Sequence, residues 1–413
     1  MAVIRPFCAL RPANTLADKV AALPYDVYNR EEAREKVKTD ACSFLRIDRP
    51  ETQFPETQDM YADCVYAKAD EMIREMESEG IFVQDASACY YIYELTMDGR
   101  AQTGLVACSS VDDYVSGVIK KHENTRKEKE EDRIRHVDTC SAQTGPIFLA
   151  YRSRADVKEL IAGIKAGDCE VDFVSDDGIR HRVWKIAEPD KTAALTAAFG
   201  EMDHTYIADG HHRAASAVAV SLKRRAAKPD YTGDEEFNYF LSVLFPDDEL
   251  MILDYNRVLK DLAGYTEEEL LARLSQIFEI GEGEKTPVRP EKKGQMSLYL
   301  GKKWYRLQAK EAFLKQDPVG TLDVAFLQRE VLEPIWKIAD PKTDKRIDFV
   351  GGIRGLAELE RRCERDCKAA FAMYPTSIGE LFAVADADLL MPPKSTWFEP
   401  KLRSGLFIHK IER

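Results

Sequence analysis

The chain has 413 residues, with 59 Lys+Arg against 72 Asp+Glu and a formal net charge of −13. Hydrophobic residues make up 45% and charged residues 32%, enough to bury a sizeable core, which excludes disorder for the chain as a whole. The acidic balance argues against a protein that coats nucleic acid, because phosphate neutralisation supplies most non-specific affinity.

At roughly 150 residues per domain the length allows about two or three domains. No stretch is long and apolar enough to cross a bilayer, and Met1-Ala-Val-Ile-Arg-Pro lacks the features of a signal peptide. Nine cysteines form no CxxC pair, a scatter that suits reduced thiols, so a cytoplasmic protein is expected. Cys363 and Cys367 sit four apart without nearby partners, which argues against a shared metal.

In chain order, helical patterns appear over 30–39 and 58–80, the second carrying Met60, Val65, Ala69, Met72 and Ile73 as a stripe. Strands follow over 88–97 and 100–108, joined at Asp98-Gly99, a strong hairpin signal. The run 146–151 reads as a buried strand, and 181–186 pairs with 170–174 across Asp176-Asp177-Gly178. A short strand ending at Asp209 opens through Gly210 into a helix reaching about Lys228. Strands are expected over 237–245 and 250–254, and a helix over 266–278 that starts with the capping box Thr266-Glu-Glu-Glu269. The rest reads as a 295–300/303–307 hairpin, helices over 322–331 and 355–366, and a strand over 369–374, with 281–294 a surface loop. A boundary is placed near Asp254.

The segment Ile207-Ala-Asp209-Gly210-His211-His212-Arg213 is the most informative. The first amides of a helix lack intrahelical partners, and the helix dipole leaves partial positive charge there. Such a terminus binds phosphate, and Gly210 lets it approach the backbone. Arg213 and one histidine would add charge-assisted donors. The bland alternative is that Asp209 caps the helix in a polar turn. Neighbouring residues on a helix point roughly 100° apart, so His211 and His212 do not naturally face one metal ion.

A second segment, Lys121-His122-Glu123 through Arg126, Lys129 and Arg133, contains no large apolar side chain. No face of a helix there packs into a core. It is expected to be a solvated helix with pairs such as Glu123–Lys127, or a charged flap over an anionic ligand. A third, Met391 to Gly405, sets Lys394, Ser395, Thr396, Lys401 and Arg403 in a loop stiffened by prolines. It suits an anionic group. A fourth is Pro24-Tyr25-Asp26-Val27, in which Asp26 reads as a turn residue or a base.

Together these stretches, with Leu322-Asp323-Val324 and Leu332-Glu333-Pro334, resemble a bacterial and archaeal family catalogued as a domain of unknown function. The Asp-Gly-His-His-Arg box is similar to the phosphate box of the ParB/sulfiredoxin superfamily, and to that of its free L-serine kinases. The resemblance implies a mixed α+β fold. Residues 1–254 would form a nucleotide-binding core of that type with an insertion at about 90–184. A C-terminal α+β region, 255–413, would return its 391–405 loop to the site.

It also implies a free L-serine kinase making O-phospho-L-serine from ATP or ADP with Mg²⁺. Asp26 stands where those kinases carry a glutamate base, one methylene shorter here. Asp209 and His211 complete the catalytic set, with Asp209 as metal ligand. Gly210, His211, His212, Arg213, Lys394, Thr396 and Lys401 would hold the nucleotide. Tyr25, His122 and Glu123 would face the acceptor, with Arg126, Lys129 or Arg133 on its carboxylate. The alternative is a nucleotide-binding switch without turnover, as in ParB relatives. DNA binding is disfavoured by the net charge of −13 and the lack of a basic recognition helix, and a sulfiredoxin-like redox role would need a cysteine in the box. Nothing in the sequence speaks to the oligomeric state.

Overall fold

A computed structural model describes residues 1–412. The chain forms two compact units, one of Met1–Leu250 with the chain from Pro400 onward, the other of Met251–Glu399. Helices and strands are mixed in both, which is the α+β class expected from the sequence.

The first unit is built on nine strands: β1 (Ile4–Arg5), β2 (Tyr90–Met97), β3 (Arg100–Ser110), β4 (Ile119–Lys120), β5 (Ile147–Tyr151), β6 (Val171–Val174), β7 (Arg180–Ile186), β8 (Thr205–Asp209) and β9 (Tyr239–Pro246). Their order is β4-β8-β5-β9-β3-β2-β7-β6, with β1 beside the far end of β3. β9 runs parallel to β5 and β8 parallel to β4; the other pairs are antiparallel. The β2–β3 hairpin turns on Asp98 and Gly99, both at positive φ (50° and 78°), the geometry that follows the twist of the strands.

Runs such as Tyr90-Tyr-Ile-Tyr93 and Ile147-Phe-Leu-Ala-Tyr151 are buried throughout, as expected for strands covered on both faces. Five of the nine strands fall within 90–184. The stretch read as an insertion therefore supplies both edge strands, β4 and β6, and the interior strands β2, β3 and β5. Periodicity finds strands, but it does not say which sheet they join.

Five helices bear on the site: α1 (Arg30–Lys38), α2 (Leu45–Asp48), α3 (Asp63–Ser78), α4 (Lys127–Cys140) and α5 (His211–Ala227). α3 buries Val65, Tyr66, Ala69, Met72, Ile73 and Met76, nearly the stripe read from sequence, but it begins at Asp63, beyond the turns that follow Pro55.

The second unit holds a six-stranded antiparallel sheet in the order 278–280, 303–309, 295–300, 369–373, 255–259, 347–351. The Thr266–Glu269 capping box forms in both directions. The expected helix at 322–331 is α-helical only over Asp323–Leu327 and continues as a π turn, Gln328–Leu332. Met251–Leu253 and Trp397–Glu399, where the chain enters and leaves the unit, pair with each other.

Candidate functional site

β8 delivers the chain to Gly210, whose φ of 89° lies in the left-handed region, and α5 begins at once. No side chain caps this helix. Asp209 does not take the capping role. Its Oδ1 accepts from the Gly210 amide at 2.8 Å and its Oδ2 from Lys401 Nζ at 2.6 Å. Burial works against the Asp209 charge, but Lys401 and the Gly210 amide outweigh it and hold the carboxyl at about 2.

A Cβ built on Gly210 would sit 3.7 Å from Ile147 Cα, an ordinary contact. Backbone conformation, more than space, therefore demands glycine. Gly210→Ala is expected to cost about 1–2 kcal/mol in urea unfolding, and Gly210→Val more. Gly210→Asn should recover part of the loss, because asparagine tolerates this region. An alanine variant as stable as the parent would show that the turn relaxes.

The two histidines have different surroundings. His211 is 7% exposed and its Nε2 has no hydrogen-bond partner. Its ring meets His122 edge to face, 4.5 Å between centroids. His122 arrives there because β4 pairs in parallel with β8, Lys120 opposite Tyr206, so the residues that follow track toward the box. His212 instead accepts the Arg126 amide on Nε2 at 2.9 Å.

Arg213 turns inward. Its Nη2 donates to Asp48 Oδ2 at 2.9 Å and to Ser404 Oγ at 3.2 Å. Asp48, fully buried at the end of α2, also accepts from Thr144 Oγ1 at 2.9 Å and lies 4.0 Å from Arg133 Nη1. Burial disfavours its charge, yet Arg213 and then Arg133 draw its carboxyl below the ordinary range. Both guanidiniums lie over the Tyr25 ring, at 4.2 Å for Arg133 and 5.1 Å for Arg213. Burial pushes the Tyr25 phenol up to about 12.

The turn itself is fixed by Val27 N–H on the Pro24 carbonyl, by Arg49 on the Tyr25 carbonyl, and by paired backbone bonds between Ala22 and Ser404. Asp26, next in the chain to Tyr25, is exposed.

α4 starts at Lys127. Within the charged segment, residues 127–131 are largely exposed, whereas Asp132 and Arg133 are buried, as are His136, Val137 and Cys140 beyond it. Its charges are neutralised internally: Tyr66 donates to Asp132 at 2.9 Å, Asp132 accepts from Arg133, and His136 Nε2 meets the Ile47 carbonyl at 2.9 Å. The helix is held by ion pairs at Asp132 and Arg133 and by Val137, which packs with Val220, Phe237 and Ile411, while its first turn, residues 127–131, stays largely exposed. Of the three cations considered for an acceptor carboxylate, Arg133 is inside, while Arg126 and Lys129 are exposed and Glu123 is half-buried.

Beside this network lies a cavity of about 20 Å³ lined by Arg133, His136, Thr144, Gly145, Arg213 and Ser216. That is room for about one water and excludes a nucleotide from it in this conformation. Lys394 and Thr396 belong to the second unit, where Lys394 Nζ lies 5.6 Å over the Tyr255 ring and its carbonyl accepts from Arg257 at 3.0 Å. Asp48, Thr144, Gly145 and Ser404 escaped the sequence reading. Ser404 stood inside a motif already singled out, whereas Asp48 carried no signal beyond preceding Arg49-Pro50.

The donor set does not suit magnesium. Both Asp209 oxygens are engaged, one by an ammonium, and no group of three His, Cys, Asp or Glu side chains among the described residues could hold a metal ion. Magnesium keeps several oxygen ligands and its charge would compete with Lys401. Asp209 is therefore better described as the partner of Lys401 than as a metal ligand.

Burial lowers His122 to about 4, and burial followed by the Arg133 charge lowers His136 to about 4. The ordinary histidine value is about 6.5, so each group stabilises the fold fully above that value and loses its contribution as pH falls toward 4. Stability should drop by about 1.4 kcal/mol per pH unit for each imidazole between pH 6 and pH 4.5. Urea midpoints across that window read it, and a His136→Gln variant should flatten the slope.

These elements define an α+β protein whose first unit presents an uncapped helix terminus, a lysine–aspartate pair and a turn tied in through Tyr25. The chain belongs to the family described as "Protein of unknown function (DUF1015)", which it matches over residues 4–325. No curated protein matches it.

Among solved structures it is similar to a free serine kinase in complex with AMP, at 14% identity and a TM-score of 0.35, over 74% of this chain and 91% of that one. SbnI with C-terminal truncation, from Staphylococcus aureus, gives 11% identity and a TM-score of 0.40, over 74% and 87%. A conserved hypothetical protein from Pyrococcus furiosus gives 15% and 0.35, over 74% and 94%. No helix among the described residues is long and apolar enough to cross a membrane.

Proposed function

We propose that this protein is a phosphotransferase that moves a phosphoryl group from ATP or ADP to the hydroxyl of a small molecule, with L-serine as the first acceptor to try. The observation that carries the reading is the start of α5. Its first amides have no side-chain cap, and beside them the buried His211 Nε2 lacks a partner. A helix terminus of this kind favours an oxyanion, and Lys401, held on Asp209, adds a cation beside it.

Phosphoryl transfer asks mainly for in-line positioning and positive charge around the transferring group. The acceptor oxygen bonds to phosphorus as the bond to the leaving phosphate oxygen breaks, and the hydroxyl proton passes to a base. Asp26 suits that role. It is exposed, and its neighbour Tyr25 lies beneath the guanidinium of the box residue Arg213. Arg213 acts here through Asp48 and Tyr25, fixing the turn against the helix, more than as a free phosphate ligand.

The test is phosphorus NMR on the protein with ATP or ADP and a panel of amino acids and small alcohols, with and without Mg²⁺. New phosphoserine, or another phosphomonoester, supports the reading. Nucleotide binding without any product would favour the regulatory switch and reject the transferase.

A further inference from the structure

Between β4 and α4 the chain runs through residues 121–126, and this loop meets both histidines of the box. At its start the His122 ring stands at 89° against His211. At its end the Arg126 amide lies 2.9 Å from Nε2 of His212. A backbone N–H can only donate, so Nε2 of His212 must offer its lone pair there. The single proton of the neutral ring then sits on Nδ1. A free neutral histidine in water favours the opposite tautomer, so the loop imposes a choice the side chain would not make alone.

We propose that residues 121–126 form a specificity element that holds His212 as its neutral Nδ1–H tautomer, so that His212 meets a phosphate oxygen as an N–H donor and not as a cation. The ligand half rests on the phosphotransferase reading; the tautomer half does not. His212 stands on the first turn of α5, where an oxyanion would also draw on the helix amides. Arg126 is here a positioning residue, and its contribution comes through its backbone. Its N–H opens α4, where an amide needs an acceptor outside the helix, and His212 supplies it.

The experiment is a nitrogen–proton correlation spectrum of the histidine rings in ¹⁵N-labelled full-length protein at neutral pH, with His212→Asn to assign the signals. His212 should show a protonated Nδ1 and an unprotonated Nε2. Arg126→Ala retains the backbone amide and should keep that pattern. Arg126→Pro removes the amide hydrogen and should move the ring toward the Nε2–H form. In calorimetric titration with ADP, Arg126→Pro should bind about three- to tenfold more weakly than Arg126→Ala, the worth of one neutral hydrogen bond.

An Nε2–H pattern in the parent protein would overturn the proposal, as would an unchanged Nδ1–H pattern in a folded Arg126→Pro. Failure of the parent to bind either ADP or ATP overturns the ligand half together with the phosphotransferase reading. Equal ADP affinity in the two variants, with the parent binding, overturns the ligand half alone.

Discussion

Arg213→Ala should lower stability by about 3 kcal/mol, because it strands a carboxylate that has no access to water. Asp48 is fully buried, and Arg213 is its nearest cation, at 2.9 Å. Arg133 remains at 4.0 Å, and Thr144 still donates, which places the cost at the lower end of that seen for broken buried pairs. From sequence alone the same substitution would be expected to spare the fold and weaken phosphate binding.

Burial of the partner changes that expectation. Asp48→Asn in the same background removes the stranded charge, so the double variant should regain part of the loss, with a coupling of about 0.5–3 kcal/mol in a double-mutant cycle. Urea denaturation of the four proteins gives the answer. If Arg213→Ala unfolds at the parental midpoint, the inward pairing does not hold the site together. Arg213→Lys should rescue little, since an ammonium cannot reproduce the flat guanidinium over Tyr25.

Asp26→Asn is expected to have the largest effect on turnover, a fall of about 10²–10⁴-fold with little change in nucleotide affinity, if the proposed chemistry holds. Asparagine keeps the size and removes the basicity. Asp26 is exposed in a turn, and its replacement should leave the urea midpoint where it was. That separates it from Arg213, whose loss acts on the fold. Asp26→Glu tests reach. If the pocket has adapted to the shorter acid, activity drops despite retained basicity. Parental turnover in Asp26→Asn would exclude it as the base and move attention to Glu31, Glu32 or Glu123.

Much of the fold was legible because it rests on local rules. Asp98-Gly99 demanded a tight hairpin, Thr266 and Glu269 a helix start, and the Met72–Ile73 stripe a helix with one apolar face. The box was legible for the same reason, since strand, glycine and helix follow one another within ten residues. What could not be read depends on distant partners. Asp132 and Arg133 close a stretch without apolar residues, yet they are buried, because Tyr66 and Asp48 come from elsewhere to meet their charges. Gly145 gives no motif, but a Cβ there would stand 2.7 Å from Arg213 Nη1. Its importance follows from a side chain 68 positions away in the sequence.

The path of the chain also sets an order of assembly. Lys401 and Ser404, which bind Asp209 and Arg213, lie beyond the whole of the second unit. A ribosome that has made everything up to Leu250 has made the box, the turn and α4, but neither of these two partners. At about 5–20 residues per second, residues 251–399 take on the order of 7 to 30 s to appear. For that interval Asp209 would be without its lysine and Arg213 without Ser404. A chain cut short after the second unit would lack these partners together with Ile408 and Ile411, which are buried in the core of the first unit, so that unit is completed only when this last segment has appeared.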